Sequence, residues 1–267
     1  MSHQDDIIIP TVMPPLAPEL RWKRNLPSSA ALQWLGAGWK DFWTVPGPSI
    51  AYGVLIFALS AIIIGCLFRF GWDYILFPAL AGFMVVGPIL AVGLYEKSRR
   101  LAAGEPVSLM GMIFVRPASG PQILFTGVLL CLLMLVWMRA AVIVYALFFG
   151  LTPFPGLDHV GQMLFTTPTG WAMLIVGGAI GAQFASFSFA ISMFSIPMLL
   201  DKRVDALTAM GTSTALVWHN LRALLPWGMI VLALFLASLA TGLLGLIIVF
   251  PLIGHGTWHA YQAAKLD

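Results

Sequence analysis

Three observations predict an all-α fold, a polytopic helical membrane bundle with six transmembrane helices. Hydrophobic residues make up 60% of the chain and charged residues 9%, against about 25% charged in an ordinary soluble domain. The apolar residues gather in long stretches, and a helix needs about 20 of them to cross about 30 Å of hydrocarbon. Those stretches are continuously apolar instead of alternating with period two, which argues against a β-barrel.

In chain order, residues 1–27 read as a flexible cytoplasmic tail. Asp5 and Asp6 precede a short apolar triplet and a proline-rich run from Pro10 to Pro18, a pattern unlike a cleaved signal peptide. Residues 28–267 form the membrane domain, with spans expected at Pro48–Phe68, Tyr74–Tyr95, Gln122–Phe149, Trp171–Leu200, Leu224–Thr241 and Leu243–Tyr261. The last two come from one apolar run about twice the length of a crossing, divided at Ala240-Thr241-Gly242 as a tight helical hairpin. Cys66 and Cys131 fall inside spans with no CxxC or metal-type spacing, and read as small packing residues.

The basic residues set an orientation. Arg21, Lys23, Arg24 and Lys40 precede the first span; Lys97, Arg99, Arg100 and Arg116 follow the second; Lys202, Arg203 and Arg222 follow the fourth; Lys265 ends the last. Opposite links hold only Arg69, so the positive-inside rule places both termini of this multi-pass membrane protein in the cytoplasm. The formal net charge of +3 is spread over these flanks, which points to lipid headgroups and away from nucleic acid.

Each pair of spans reads as one copy of a threefold unit: an interfacial amphipathic helix, an outward helix, and a returning helix with a proline near its inner part. The amphipathic segments are Ser28–Trp43, Val107–Phe114 and Asp205–Asn220, with the pairs Leu32/Gly36, Val107/Gly111 and Leu207/Gly211. In the first, Leu32, Leu35, Trp39 and Phe42 form an apolar stripe, with Gln33, Lys40 and Asp41 as polar positions. In the third, Ala206, Met210, Val217 and Leu221 do the same. The returning helices carry Pro88, Pro197 and Pro251, structural residues whose freed carbonyls need other partners. Simple linkers would read the same way.

Candidate site residues are few. Gly177 and Gly181 form a GxxxG pair in a span crowded with small residues, a packing face within the chain or between two copies. Arg139 lies within a span, where it either snorkels to an interface or contacts an anion. His255 and His259 stand at i and i+4 on one helix face, a spacing that can share a metal, but no carboxylate or cysteine nearby completes a site. Hydrogen bonding in the interface is the alternative for this pair, and His219 could join it. Glu96 and Asp201 sit in mixed-charge clusters at span ends, where ion pairing suffices to explain them. No catalytic motif, phosphate loop, metal set or cofactor signature is present.

The segments Gly87–Glu96, Ser195–Asp201, Ala206–Met210 and Gly254–Tyr261 together resemble a family of uncharacterised bacterial inner-membrane proteins, over roughly Leu32 to Tyr261. That family is similar in layout to the membrane domain of some glycerophosphodiester phosphodiesterases, and the resemblance implies no established activity. Its members are sometimes labelled cytochrome c oxidase subunit I. Such a subunit resembles a twelve-span protein with six intramembrane histidines, whereas here His3 is in the tail, His159 is in an outer link, and His219, His255 and His259 lie near the inner face.

The sequence therefore leads to a non-enzymatic integral inner-membrane protein, an accessory, assembly or envelope-homeostasis factor touching membrane lipids and another membrane protein or respiratory complex. A small transporter or channel between proline-kinked helices is the alternative, and a lipid-headgroup enzyme using Glu96, Asp201 or the three histidines is the third reading.

Overall fold

The computed structural model describes residues 22–150 and 154–265. The helices are α1 (Ala30–Thr44), α2 (Pro46–Arg69), α3 (Leu76–Leu90, entered by a 3-10 turn at Asp73–Ile75), α4 (Val92–Ala102), α5 (Leu109–Ile113) and α6 (Gly120–Phe149). After these come α7 (Leu157–Thr166), α8 (Pro168–Ser192), α9 (Ser195–Asp201), α10 (Ala206–His219), α11 (Leu221–Ala240) and α12 (Leu246–Ala264). Among the described residues there is no strand beyond a lone bridge between Trp22 and Lys265.

Five segments are long and apolar enough to cross a membrane: α2, Asp73–Ala102, α6, Pro168–Asp201 and α11. The sixth expected span, α12, runs for 19 residues but is not one of these. Its C-terminal half carries His255, Thr257 and His259, which lower its hydropathy, and it is enclosed by α1, α2, α4 and α11. The expected hairpin before it is present. α11 ends at Ala240, and Gly242 (φ +62°) takes the left-handed backbone that reverses the chain.

Two returning helices are broken near their prolines, and in each a hydroxyl from another helix fills the break. At α8/α9, Pro197 cannot donate to Met193, its partner four residues back. There Ser213 of α10 inserts its hydroxyl, accepting from Phe194 N (3.0 Å) and donating to Ala190 O (2.7 Å). At α3/α4, three residues beyond Pro88, the Tyr52 hydroxyl of α2 donates to Leu90 O at 2.7 Å. Pro251 lies inside the continuous α12. The carbonyl of Ile247, four residues before it, faces Gly53 of α2, where a Cβ would stand 2.1 Å from the oxygen.

α1 and α10 each divide their apolar residues between a buried and an exposed face. α1 buries Ala31, Trp34, Gly38 and Phe42 at helical spacing, while Leu32, Trp39 and Trp43 are exposed. α10 likewise buries Ala206, Ala209, Ser213 and Leu216 and exposes Leu207 and Trp218. Both helices are apolar on two sides, so an apolar stripe alone does not say which side meets the bundle. At the α1/α12 crossing a Cβ on Gly38 would lie 2.7 Å from Gly256 N and 2.9 Å from Leu252 O. Gly36, the glycine singled out by the repeat, has nothing within 4 Å.

Other differences are local. α7 occupies a stretch expected to be an outer link. Cys66 and Cys131 are free and exposed on the bundle's outer surface instead of packed within it. Residues 1–21 lie outside the described residues, but Trp22 to Leu26 are held: Lys23 N donates to Ala264 O (2.9 Å) and Leu26 N to Asn220 Oδ1 (2.9 Å).

Candidate functional site

The densest polar cluster forms where α1, α2, α4 and α12 converge. Lys97 is fully buried, and its ammonium donates to Val45 O (2.7 Å), Phe42 O (3.4 Å) and Ser49 Oγ (2.7 Å). The two carbonyls belong to the end of α1, where a cation also complements the helix dipole. Ser49 Oγ lies 2.9 Å from His255 Nε2, and Ser98 Oγ lies 2.9 Å from His255 Nδ1. Because Lys97 occupies an acceptor position on Ser49, the Ser49 proton is free to go to Nε2. With the Ser49 proton donated to Nε2, a neutral imidazole carries its own proton on Nδ1 and donates to Ser98; the other tautomer reverses both bonds. Beside them the Asp41 carboxylate is 2.8 Å from His259 Nε2.

The result is a connected polar chain from the Lys97 ammonium through Ser49 and His255 to Ser98, with the Asp41–His259 pair next to it. Such a chain is stable in a dry interior because its members are satisfied. Burial alone would raise the Asp41 pKa. The hydrogen bonds from His259 and Ser98, with the nearby imidazole charges, outweigh it and hold the carboxyl below 3.8.

The histidine pair at i and i+4 thus divides between partners: His255 takes two serines and His259 takes Asp41. His219 is exposed at the end of α10, and its carbonyl accepts from Asn25 N at 3.1 Å. Among the described residues no group of three or more His, Cys, Asp or Glu side chains could hold a metal.

The other candidate residues lie apart from this chain. Glu96, on the same turn of α4, is buried and clamped by Arg99 (2.8 and 2.9 Å) and Arg100 (2.6 Å). Asp201 accepts from the Tyr261 hydroxyl (2.8 Å) and from Lys265. Arg139 is exposed on α6. Gly177 and Gly181 of α8 face α6, with would-be Cβ atoms 3.5 Å from Val144 and 3.1 Å from Trp137. Asp41, Ser49, Lys97 and Ser98 were not singled out as site residues from sequence. Each had an ordinary explanation as a flank charge or a small polar residue, and only the i, i+4 histidines marked the place.

An all-helical chain with five segments long and apolar enough to cross a bilayer among its described residues is a polytopic integral membrane protein. Residues 76–201, from α3 to the end of α9, match the model of a family described as predicted integral membrane protein (DUF2189), whose function is unknown. Comparison with curated proteins and with solved structures gave no match.

Proposed function

We propose that this is a non-enzymatic protein of the bacterial inner membrane, with both termini cytoplasmic, serving as an accessory, assembly or envelope-homeostasis factor through contacts with lipid and another membrane protein. One observation supports the reading: the ionisable groups of the polar cluster and its neighbours are each bonded to a partner within the chain, which leaves none directed at a substrate. Lys97 is held by carbonyls and Ser49, Glu96 by two arginines, Asp201 by Tyr261 and Lys265, and Asp41 by His259. The helix breaks that would line a transport site are filled by Ser213 and Tyr52. What remains for contact is the apolar outer surface.

Affinity purification of the full chain in mild detergent tests the role. A recurrent membrane-protein partner is expected, and a consistently solitary protein would overturn it. A reporter fused at Asp158 tests the orientation: it should be accessible from outside the membrane, and cytoplasmic protection would reverse the assignment.

A further inference from the structure

A groove of about 600 Å³ runs between α4, α5 and α6, lined among others by Tyr52, Gly93, Met112, Gly127, Cys131 and Leu135. Its volume is within the range of about 300–1,000 Å³ usual for small-ligand sites. The walls are apolar, and the Tyr52 hydroxyl in them is already donated to Leu90 O. Gly93 and Gly127 keep the floor low, since a Cβ on either would meet Met112 O at 2.2 Å or Ile89 at 3.2 Å.

Along α6 the lining extends from Gly120 to Leu135, about 22 Å at the rise of a helix and so more than the depth of one leaflet. Its outer edge on α6 is exposed at Leu124, Val128 and Leu132. The groove therefore opens sideways, toward lipid.

One end is charged. Arg116 is exposed and stands between two lining residues, Val115 and Pro117. Arg100 is close by, donating to Pro106 O (3.3 Å) in the link that leads into α5. Two carboxylates lie near this end: Glu96, whose ion pairs with Arg99 and Arg100 occupy both of those guanidinium groups, and Glu105, which interacts with the Arg99 charge, so the headgroup charge falls to Arg116. The link between α5 and α6 that carries Arg116 is held just beyond it, where Ala118 N and Ser119 N donate to Leu200 O and Leu199 O (3.0 Å each).

We infer that this groove binds one anionic glycerophospholipid, its acyl chain along α6 and its phosphate at Arg116. The length and apolar walls fit a hydrocarbon chain, and the guanidinium at the mouth selects a negative headgroup over a zwitterionic one. This inference does not depend on the accessory role, and loss of every protein partner would leave it intact.

Native mass spectrometry of the full chain, exchanged in detergent with either phosphatidylglycerol or phosphatidylcholine, tests it. A one-to-one phosphatidylglycerol adduct is expected, held at least fivefold more tightly than the phosphatidylcholine adduct. R116Q should cut that preference about fivefold, the factor equivalent to about 1 kcal/mol per basic residue near an anionic surface. V128W, which fills the groove from its exposed edge, should abolish the adduct of both lipids. I175W, an equal change on the exposed face of α8, should keep both and controls for folding. Equal retention of the two lipids, an unchanged preference in R116Q, or an unchanged adduct in V128W each overturns the proposal.

Discussion

Replacing Gly38 by alanine puts a carbon where two helices already touch. On the present backbone that carbon would stand 2.7 Å from Gly256 N and 2.9 Å from Leu252 O, both main-chain atoms of α12 that cannot rotate aside. Reaching ordinary contact near 3.5–4.0 Å requires α1 and α12 to part by roughly 1 Å. Overpacking of a fitted core costs about 1–3 kcal/mol, and at about 2–4 °C per kcal/mol for a chain of this size the melting temperature should fall by about 2–12 °C. The control lies half a turn away. Gly36 has open space within 4 Å, so G36A should gain helix propensity, worth up to about 1 kcal/mol, and melt no lower than the wild type. Thermal unfolding of detergent-solubilised protein, followed by loss of the monodisperse peak in size exclusion, reads both variants. A G38A protein that melts with or above G36A would refute the close crossing of α1 and α12.

Three further outcomes follow from the polar interior. K97M strips the donor from Val45 O and Ser49 Oγ, charge-assisted bonds of about 1.5–3 kcal/mol each, and should lower the melting temperature more than S49A, which leaves the carbonyl bonds in place; the reverse order would count against the cap on α1. S213A leaves Phe194 N and Ala190 O unpaired at the α8/α9 break, at about 1–3 kcal/mol for buried groups without partners, and should speed hydrogen exchange there; unchanged protection would show that the hydroxyl is dispensable. Asp41 has a folded pKa below 3.8, so its contribution is whole above that value and is lost as the pH falls through the lower folded one. D41N should therefore flatten the acid limb of stability, and an identical limb in both proteins would contradict the Asp41–His259 contact.

The long apolar segments were legible because a bilayer imposes one length on every crossing, and the turn after α11 because only a residue such as Gly242 readily reverses the chain there. Prolines 88 and 197 pointed to breaks but not to the hydroxyls that fill them, since Tyr52 and Ser213 are distant in sequence. α1 was placed correctly, but Leu32, Trp39 and Trp43 are as apolar as the side that is buried, so the apolar stripe did not say which side meets the bundle. Lys97 illustrates the hardest case. Its position beside Arg99 and Arg100 is what a membrane flank requires, and nothing local reveals that its ammonium turns inward to close the end of α1 while its neighbours stay at the surface. Asp41 was read as a surface position for the same reason.

The bridge between Trp22 and Lys265 constrains the whole chain through parity. Two residues paired by their backbones occupy the same side of any membrane between them, so the chain joining them crosses an even number of times. Five crossings leave them on opposite sides. α12, whose polar half is lodged among other helices instead of in lipid, is the helix whose crossing would make the count even.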